Sequence, residues 1–163
     1  MTQPHPAVPS PFGGRSVLII DDTPDDVALL VEFLRRTDLR IAVALNGNEG
    51  AQKAQVLRPD LILLDVRMPQ VDGFATCRLL KAHPLTRDIP VIFLSGAGEI
   101  EDRLTGLQLG AVDYVTKPFS ADEVLARIRI HLEIANRLAA SPQVDADGLP
   151  ADRDAQSAGG GIN

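Results

Sequence analysis

Residues 17–22 read V-L-I-I-D-D, four aliphatic residues in a row followed at once by two aspartates. An aliphatic run without polar alternation is typical of a strand buried on both faces, as in a parallel sheet. The pattern recurs at 61–65, where L-I-L-L precedes an aspartate, and at 91–95, where V-I-F-L precedes a serine. These stretches predict parallel strands that each end on a polar side chain.

Strand-like runs alternate along the chain with segments of helical periodicity. The first helix is expected to begin with Thr23 as N-cap and Pro24 at its first position, with Asp25 and Asp26 near its positive end. The strand candidates are residues 17–20, 41–44, 61–64, 91–94 and 112–115. Five β–α units joined by short loops predict an α/β fold, a doubly wound five-stranded parallel sheet with helices on both faces.

Composition excludes several classes of protein. The chain has 163 residues, 45% hydrophobic but only 4% aromatic, and a formal net charge of -6. An acidic chain with few aromatic rings lacks the features of a nucleic-acid binder, so we expect no direct nucleic-acid contact. One cysteine excludes an internal disulfide and a cysteine-based zinc site. We find neither a membrane-length apolar run nor a signal peptide, and we expect a cytoplasmic protein without membrane contact.

The two ends of the chain differ in composition from its middle. Residues 1–14 are rich in proline and glycine and predict a disordered leader. Residues 141–163 are rich in Pro, Asp, Ala and Gly and predict a disordered acidic tail or a truncated linker. Residues 15–140 remain as the folded unit. The sequence leaves open whether the chain is a stand-alone protein or part of a longer one.

Polar side chains gather where the predicted strands end. Asp21 and Asp22 follow the first strand, Asp65 follows the third, Ser95 ends the fourth, and Lys117 follows the fifth. Ligands of open α/β sheets bind at this edge. Neighbouring carboxylates repel one another unless a positive charge holds them together, and carboxylate oxygens suit Mg²⁺. A carboxylate facing a metal-bound phosphoryl group can act as nucleophile and form an aspartyl phosphate.

Four ordered motifs complete the pattern: V-L-I-I-D-D at 17–22, L-I-L-L-D-V-R-M-P-Q-V-D-G-F at 61–74, V-I-F-L-S at 91–95 and G-A-V-D-Y-V-T-K-P-F at 110–119. In these motifs the chain resembles the receiver domain of two-component response regulators over residues 15–140. The resemblance implies a flavodoxin-like (βα)5 fold with strand order 2-1-3-4-5. It also implies a sensor histidine kinase or a phosphotransfer protein as partner, and no enzymatic activity beyond self-phosphorylation and self-dephosphorylation.

The resemblance assigns roles to the residues at the strand ends. Asp65 would accept the phosphoryl group, with Lys117 and Ser95 contacting its oxygens. Asp22 and Asp65 would bind Mg²⁺ directly, Asp21 would act mainly through water, and the main-chain carbonyl of Arg67 would complete the protein ligands.

The resemblance also implies how the signal leaves the site. Ser95 and Tyr114 would form the switch pair that relays phosphorylation to the face between the fourth strand and the fifth helix. The Lys117–Pro118 peptide bond would be cis. Gly96 stands where the pattern most often has alanine, which is expected to loosen the loop, and the Arg67 side chain places a cation near the acceptor that is expected to slow or guide the attack of water.

Two other functions use similar residues. A phosphatase of the haloacid dehalogenase type also has a nucleophilic aspartate, Mg²⁺ and a lysine, but it needs a second acid two residues after the nucleophile. That position is Arg67 here, which has no useful acid–base chemistry. A receiver-like binding module that is never phosphorylated is expected to lack one of the four charged residues Asp21, Asp22, Asp65 and Lys117, and none is missing.

The last predicted helix has two apolar stripes. It opens with a capping box from Ser120 to Glu123. The stripe predicted to cover the core contains Leu125, Ile128, Leu132, Ala135 and Ala139. On the opposite side lie Ile130, Ile134 and Leu138. We expect this outer stripe to be exposed and to contact a second copy of the chain, an output module or a kinase helix.

Overall fold

The computed structural model describes residues 12–96 and 100–140, where five strands and five helices alternate. The strands are β1 (Ser16–Ile20), β2 (Arg40–Ala44), β3 (Leu61–Asp65), β4 (Val91–Ser95) and β5 (Asp113–Thr116). The helices are α1 (Pro24–Leu34), α2 (Gly47–Leu57), α3 (Gly73–Ala82), α4 (Ile100–Gln108) and α5 (Ala121–Ala140). The predicted strands are confirmed to within one residue at either end; Val112 lies just before β5 and is exposed.

The strands form one parallel sheet in the order β2-β1-β3-β4-β5. Its register aligns Ile20 of β1 with Leu64 of β3, and Asp65 with Leu94 of β4. Because all strands run the same way, the residues that follow β1, β3 and β4 meet at one edge of the sheet. The doubly wound architecture and the strand order 2-1-3-4-5 are therefore confirmed.

Both faces of the sheet are covered, which explains the uninterrupted aliphatic runs. Leu18 and Ile20 of β1 belong to a core cluster with side chains of α2 and α3. Val17 and Ile19, which alternate with them, belong to a second cluster with side chains of α1 and α5. A single strand therefore supplies both cores.

Part of the predicted leader lies within the described residues. Phe12, in the segment predicted as a leader, is buried in the second cluster beside α1 and α5. Residues 1–11 and 141–163 lie outside the described residues, so the predicted leader and acidic tail remain expectations there. In the residues that the structure describes, no helix is long and apolar enough to cross a membrane.

Helix starts follow the predicted signals with one difference. Thr23 is the N-cap of α1 and Pro24 its first residue, as predicted, but the Thr23 side chain makes no capping hydrogen bond. The Thr23 N–H instead donates to Asp21 Oδ1 at 2.9 Å, which ties the helix start to the end of β1. At α5, the Glu123 N–H donates to Ser120 Oγ at 3.5 Å.

The two faces of α5 are largely as predicted. Ile128 and Leu132 are buried, and Leu125 and Ala135 are half-buried. The prediction for Ala139 is wrong, because it is exposed. A helix of 20 residues is about 30 Å long, whereas a five-residue strand spans only about 17 Å, so the last turns of α5 extend beyond the sheet. The stripe of Ile130, Ile134 and Leu138 is exposed, as expected.

Two isoleucines of α5 test this assignment of faces. Ile128 is 0% exposed and Ile130 is 47% exposed. We expect Ile128→Ala to lower the free energy of unfolding by about 2–5 kcal/mol, because it leaves a cavity in the core, and Ile130→Ala to lower it by less than about 1 kcal/mol. Urea denaturation of both variants measures the difference. Equal losses would show that α5 is rotated from the described orientation.

Candidate functional site

Three carboxylates meet at the carboxyl edge of the sheet. Asp65 is the last residue of β3, and Asp21 and Asp22 directly follow β1. One carboxylate oxygen from each lies within 4.8 Å of the other two. Asp21 and Asp65 are buried and Asp22 is half-buried. The structure thus brings together the three acidic residues predicted as metal ligands.

The Lys117 ammonium lies among these carboxylates. Its Nζ is 3.1 Å from Asp65 Oδ1 and 3.9 Å from Asp21 Oδ2. The Lys117 N–H donates to the Ser95 carbonyl at 2.8 Å, which holds the Lys117 main chain at the end of β4. The Lys117–Pro118 peptide bond is cis, as predicted. The shortest contact of Nζ, 2.7 Å, is to Asp26 Oδ2 in the first turn of α1.

Asp26 is the site residue that the sequence analysis missed. The sequence assigned it, with Asp25, to the positive end of α1, and nothing in its spacing indicated a partner 91 residues away. The sequence shows Asp26 only as the second of two adjacent aspartates, about one helical turn after Asp21 and Asp22, and this spacing is equally typical of a helix start. Its contact with Lys117 emerges from the way α1 and β5 converge on the same edge.

Ser95 supplies a buried hydroxyl at the same edge of the sheet. It ends β4 beside Asp65, is buried, and among the described residues its Oγ has no hydrogen-bond partner. A buried hydroxyl without a partner costs free energy, so its presence favours a ligand that arrives from outside the chain. Tyr114 lies on the neighbouring strand β5 and is half-buried, with the Arg103 guanidinium 4.6 Å from its ring centre.

Arg67 is exposed and directed towards α4. Its Nη2 donates to Asp102 Oδ2 at 2.8 Å, and its side chain is 69% exposed. Its main chain, in contrast, hydrogen-bonds the Asp65 carboxylate. In this structure the Arg67 charge therefore pairs with the α4 helix, while its main chain holds the Asp65 carboxylate.

Gly73 allows α3 to begin against the end of β3. A Cβ at Gly73 would collide with the Asp65 carbonyl oxygen and approach the Val66 Cα to 2.8 Å. Both neighbours are main-chain atoms and cannot rotate away. The Gly73 N–H also donates to the Val66 carbonyl at 2.9 Å. The glycine of the 61–74 motif therefore lets α3 begin directly against the end of β3, next to Asp65.

Burial and mutual repulsion shift the pKa values at this edge. Burial raises the pKa of Asp21 to about 7, and the Asp65 charge adds to the shift. Burial also raises the pKa of Asp65, an effect that Lys117 partly offsets. Burial lowers the pKa of Lys117, but the surrounding carboxylates, Asp26 first, outweigh it and raise that pKa above its usual value.

The described site carries more negative charge than Lys117 balances. Two unit charges about 4 Å apart interact by about 4 kcal/mol at an effective dielectric constant of about 20, so the repulsion is substantial. Asp21 Oδ2 is buried and has no hydrogen-bond partner within residues 12–96 and 100–140. Hard oxygen ligands with an orphaned carboxylate oxygen fit Mg²⁺. The residues present therefore match a magnesium site in both charge and donor type.

Comparison with known proteins identifies the family. The sequence-family model of the response regulator receiver domain matches residues 17–129. The chain belongs to this family. Its relatives include the DNA-binding dual master transcriptional regulator RpaA of Synechocystis, which is 42% identical over 122 residues, 75% of this chain and 51% of the relative. The chain spans about half the length of the curated relatives it matches.

Solved receiver domains share the fold. The signal receiver domain of a signal transduction histidine kinase from Syntrophus aciditrophicus is 35% identical with a TM-score of 0.69, covering 76% of this chain and 93% of that one. The receiver domain of a Pseudomonas aeruginosa sensor histidine kinase is 29% identical with a TM-score of 0.69, covering 74% and 98%. That structure holds a magnesium ion in its active-site cleft. The chain is thus a receiver domain of two-component signalling, and the phosphatase interpretation is not favoured.

The raised pKa of Asp21 makes stability depend on pH. A carboxyl whose pKa is about 7 in the fold and 3.8 ordinarily stabilises the fold below about pH 4 and loses that contribution as the pH rises through about 7. We therefore expect Asp21→Asn to be more stable than wild type near pH 8 by about 1–3 kcal/mol without metal, and to lose this advantage near pH 5.

Urea denaturation in the presence of EDTA at both pH values measures this effect. Asp25→Asn, which removes an exposed carboxylate of the same region, serves as the control and should show little change. A constant difference between wild type and Asp21→Asn across the pH range would contradict the raised pKa.

Proposed function

We propose that Asp65 is the phosphoacceptor of this receiver domain and that its donor is the phosphohistidine of a sensor histidine kinase or phosphotransfer protein. The supporting observation is the placement of the Asp65 carboxylate: buried, 3.1 Å from the Lys117 ammonium, and within 4.8 Å of oxygens from Asp21 and Asp22. Family membership makes phosphoryl acceptance the expected chemistry, and this geometry supports Asp65 as the acceptor.

The proposed transfer is a displacement at phosphorus. An Asp65 carboxylate oxygen forms a bond to phosphorus while the bond between phosphorus and the donor imidazole nitrogen breaks. The imidazole keeps the electron pair, and the product is an acyl phosphate on Asp65. Positioning and charge compensation are most of what a protein contributes to such a transfer.

The remaining site residues have distinct proposed tasks. The Lys117 ammonium pairs with a phosphoryl oxygen, and the unpartnered Ser95 hydroxyl donates a hydrogen bond to another. Tyr114, on the strand next to Ser95, passes the change to the face between β4 and α5. Self-phosphorylation and self-dephosphorylation are the only chemistry proposed for the domain.

The proposed Mg²⁺ ligands follow from the oxygen donors at the carboxyl edge of the sheet. Asp22 and Asp65 would hold Mg²⁺ directly, Asp21 mainly through water, and the Arg67 main-chain carbonyl would complete the protein ligands. When bound, Mg²⁺ supplies positive charge between the carboxylates and the phosphoryl oxygens. The magnesium ion in the active-site cleft of the Pseudomonas aeruginosa receiver supports Mg²⁺ as the ion at this edge.

Partners beyond the phosphoryl donor are also proposed. The exposed stripe of Ile130, Ile134 and Leu138 is the surface we assign to a second copy or an output module. The expectation that this chain makes no direct contact with nucleic acid stays a prediction, because the Synechocystis relative is named as DNA-binding and the chain spans about half of it.

Asp65→Asn tests the acceptor. Wild-type protein incubated with acetyl phosphate and Mg²⁺ should gain one phosphoryl group, whereas Asp65→Asn should gain none, because the amide is a poor nucleophile. Mass spectrometry of the intact protein measures the adduct. Asp122→Asn, which changes an exposed aspartate of α5, should be phosphorylated like wild type. An adduct of equal yield on Asp65→Asn would reject the assignment.

Two adjacent aspartates test the metal set. We expect Asp22→Ala to weaken Mg²⁺ binding by about tenfold or more, because it removes a direct ligand, and Asp21→Ala to weaken it less, because its contact runs through water. Magnesium titrations followed by NMR give both affinities. A larger loss for Asp21→Ala would mean that the order of the ligands is reversed.

A further inference from the structure

The shortest contact of the Lys117 ammonium is to a residue outside the proposed acceptor and metal set. Nζ lies 2.7 Å from Asp26 Oδ2 but 3.1 Å from Asp65 Oδ1. The Lys117 and Asp26 side chains are each 26% exposed, so water screens their interaction only in part. In the described structure the ammonium is therefore shared between the proposed acceptor and a carboxylate of α1.

Helix electrostatics alone do not account for this contact. Asp25 and Asp26 both lie in the first turn of α1, where an acidic side chain is favourable. Asp25 serves that purpose from an exposed position. Asp26 is half-buried and reaches across to the residue that follows β5. The interaction is thus specific to Asp26 and Lys117.

An anion on Asp65 changes the demand on Lys117. A phosphoryl group, or its analogue beryllofluoride, adds several negatively charged acceptors next to Nζ. The Asp26 carboxylate opposes this change in two ways: it holds the ammonium that the anion needs, and its own negative charge repels the anion. Both effects weaken the binding of an anion at Asp65.

We propose that Asp26 is a positioning residue that competes with the phosphoryl group on Asp65 for the Lys117 ammonium. This competition destabilises the phosphorylated state relative to the unphosphorylated one. This inference rests on the proposed function, since it requires that Asp65 carry the anion. Asp26 acts through Lys117 and takes no part in bond formation.

Beryllofluoride affinity in saturating Mg²⁺ measures the competition, and fluorine NMR reports the bound fraction. We expect Asp26→Asn, and likewise Asp26→Ala, to bind beryllofluoride about three- to tenfold more tightly than wild type, the range for a partly exposed charge-assisted hydrogen bond. Asp26→Glu, which retains the carboxylate, should restore affinity to within about twofold of wild type. Asp25→Asn removes the same charge one residue earlier and should also stay within about twofold.

A second background separates competition from general electrostatics. In Lys117→Gln the ammonium is absent and only the weaker direct repulsion by Asp26 remains, so adding Asp26→Asn should change beryllofluoride affinity by less than about twofold. If the full gain persists in that background, Asp26 does not act through Lys117 and the inference is overturned.

The remaining outcomes are also decisive. Unchanged or weaker binding by folded Asp26→Asn and Asp26→Ala overturns the inference while leaving the proposed function intact. An equal gain in Asp25→Asn overturns it as well, because the effect would then be long-range. A wild-type protein that binds no beryllofluoride in Mg²⁺ overturns the proposed function and this inference together.

Discussion

Repulsion among buried carboxylates at one edge of the sheet is the constraint on which the site depends. Parallel strands in register bring Asp21 and Asp22 next to Asp65, and desolvation removes the water that would screen them. Lys117 balances only part of this charge. The packing of the rest of the domain therefore holds these like charges together against their repulsion, an arrangement that favours the binding of a divalent cation.

The fold sustains this arrangement because the sheet is buried on both faces. Residues of β1 alternate between two core clusters, so the strand is packed on both of its faces. Gly73 then admits α3 directly against the end of β3, and the Thr23 N–H ties α1 to Asp21. Aliphatic packing thus fixes the main chain that carries the charges, and the site inherits its geometry from the core.

Sequence patterns predicted the elements and the carboxylate edge because both depend on local order: aliphatic runs, caps and the residue after each strand. They did not predict the contact of Asp26 with Lys117 or that of Arg67 with Asp102, which depend on how separate helices converge and on which rotamers long side chains adopt. Ala139 was misplaced for a related reason. Periodicity gives the face of a helix but not where the supporting sheet ends.

Proton release on magnesium binding tests this account most directly. Calorimetric titration of wild-type protein with Mg²⁺ near pH 7, in two buffers with different heats of ionisation, yields the number of protons exchanged. If desolvation and repulsion raise the pKa of Asp21 to about 7, binding must release protons at this pH and release fewer near pH 9. Binding without proton release, or no binding at all, would contradict the account.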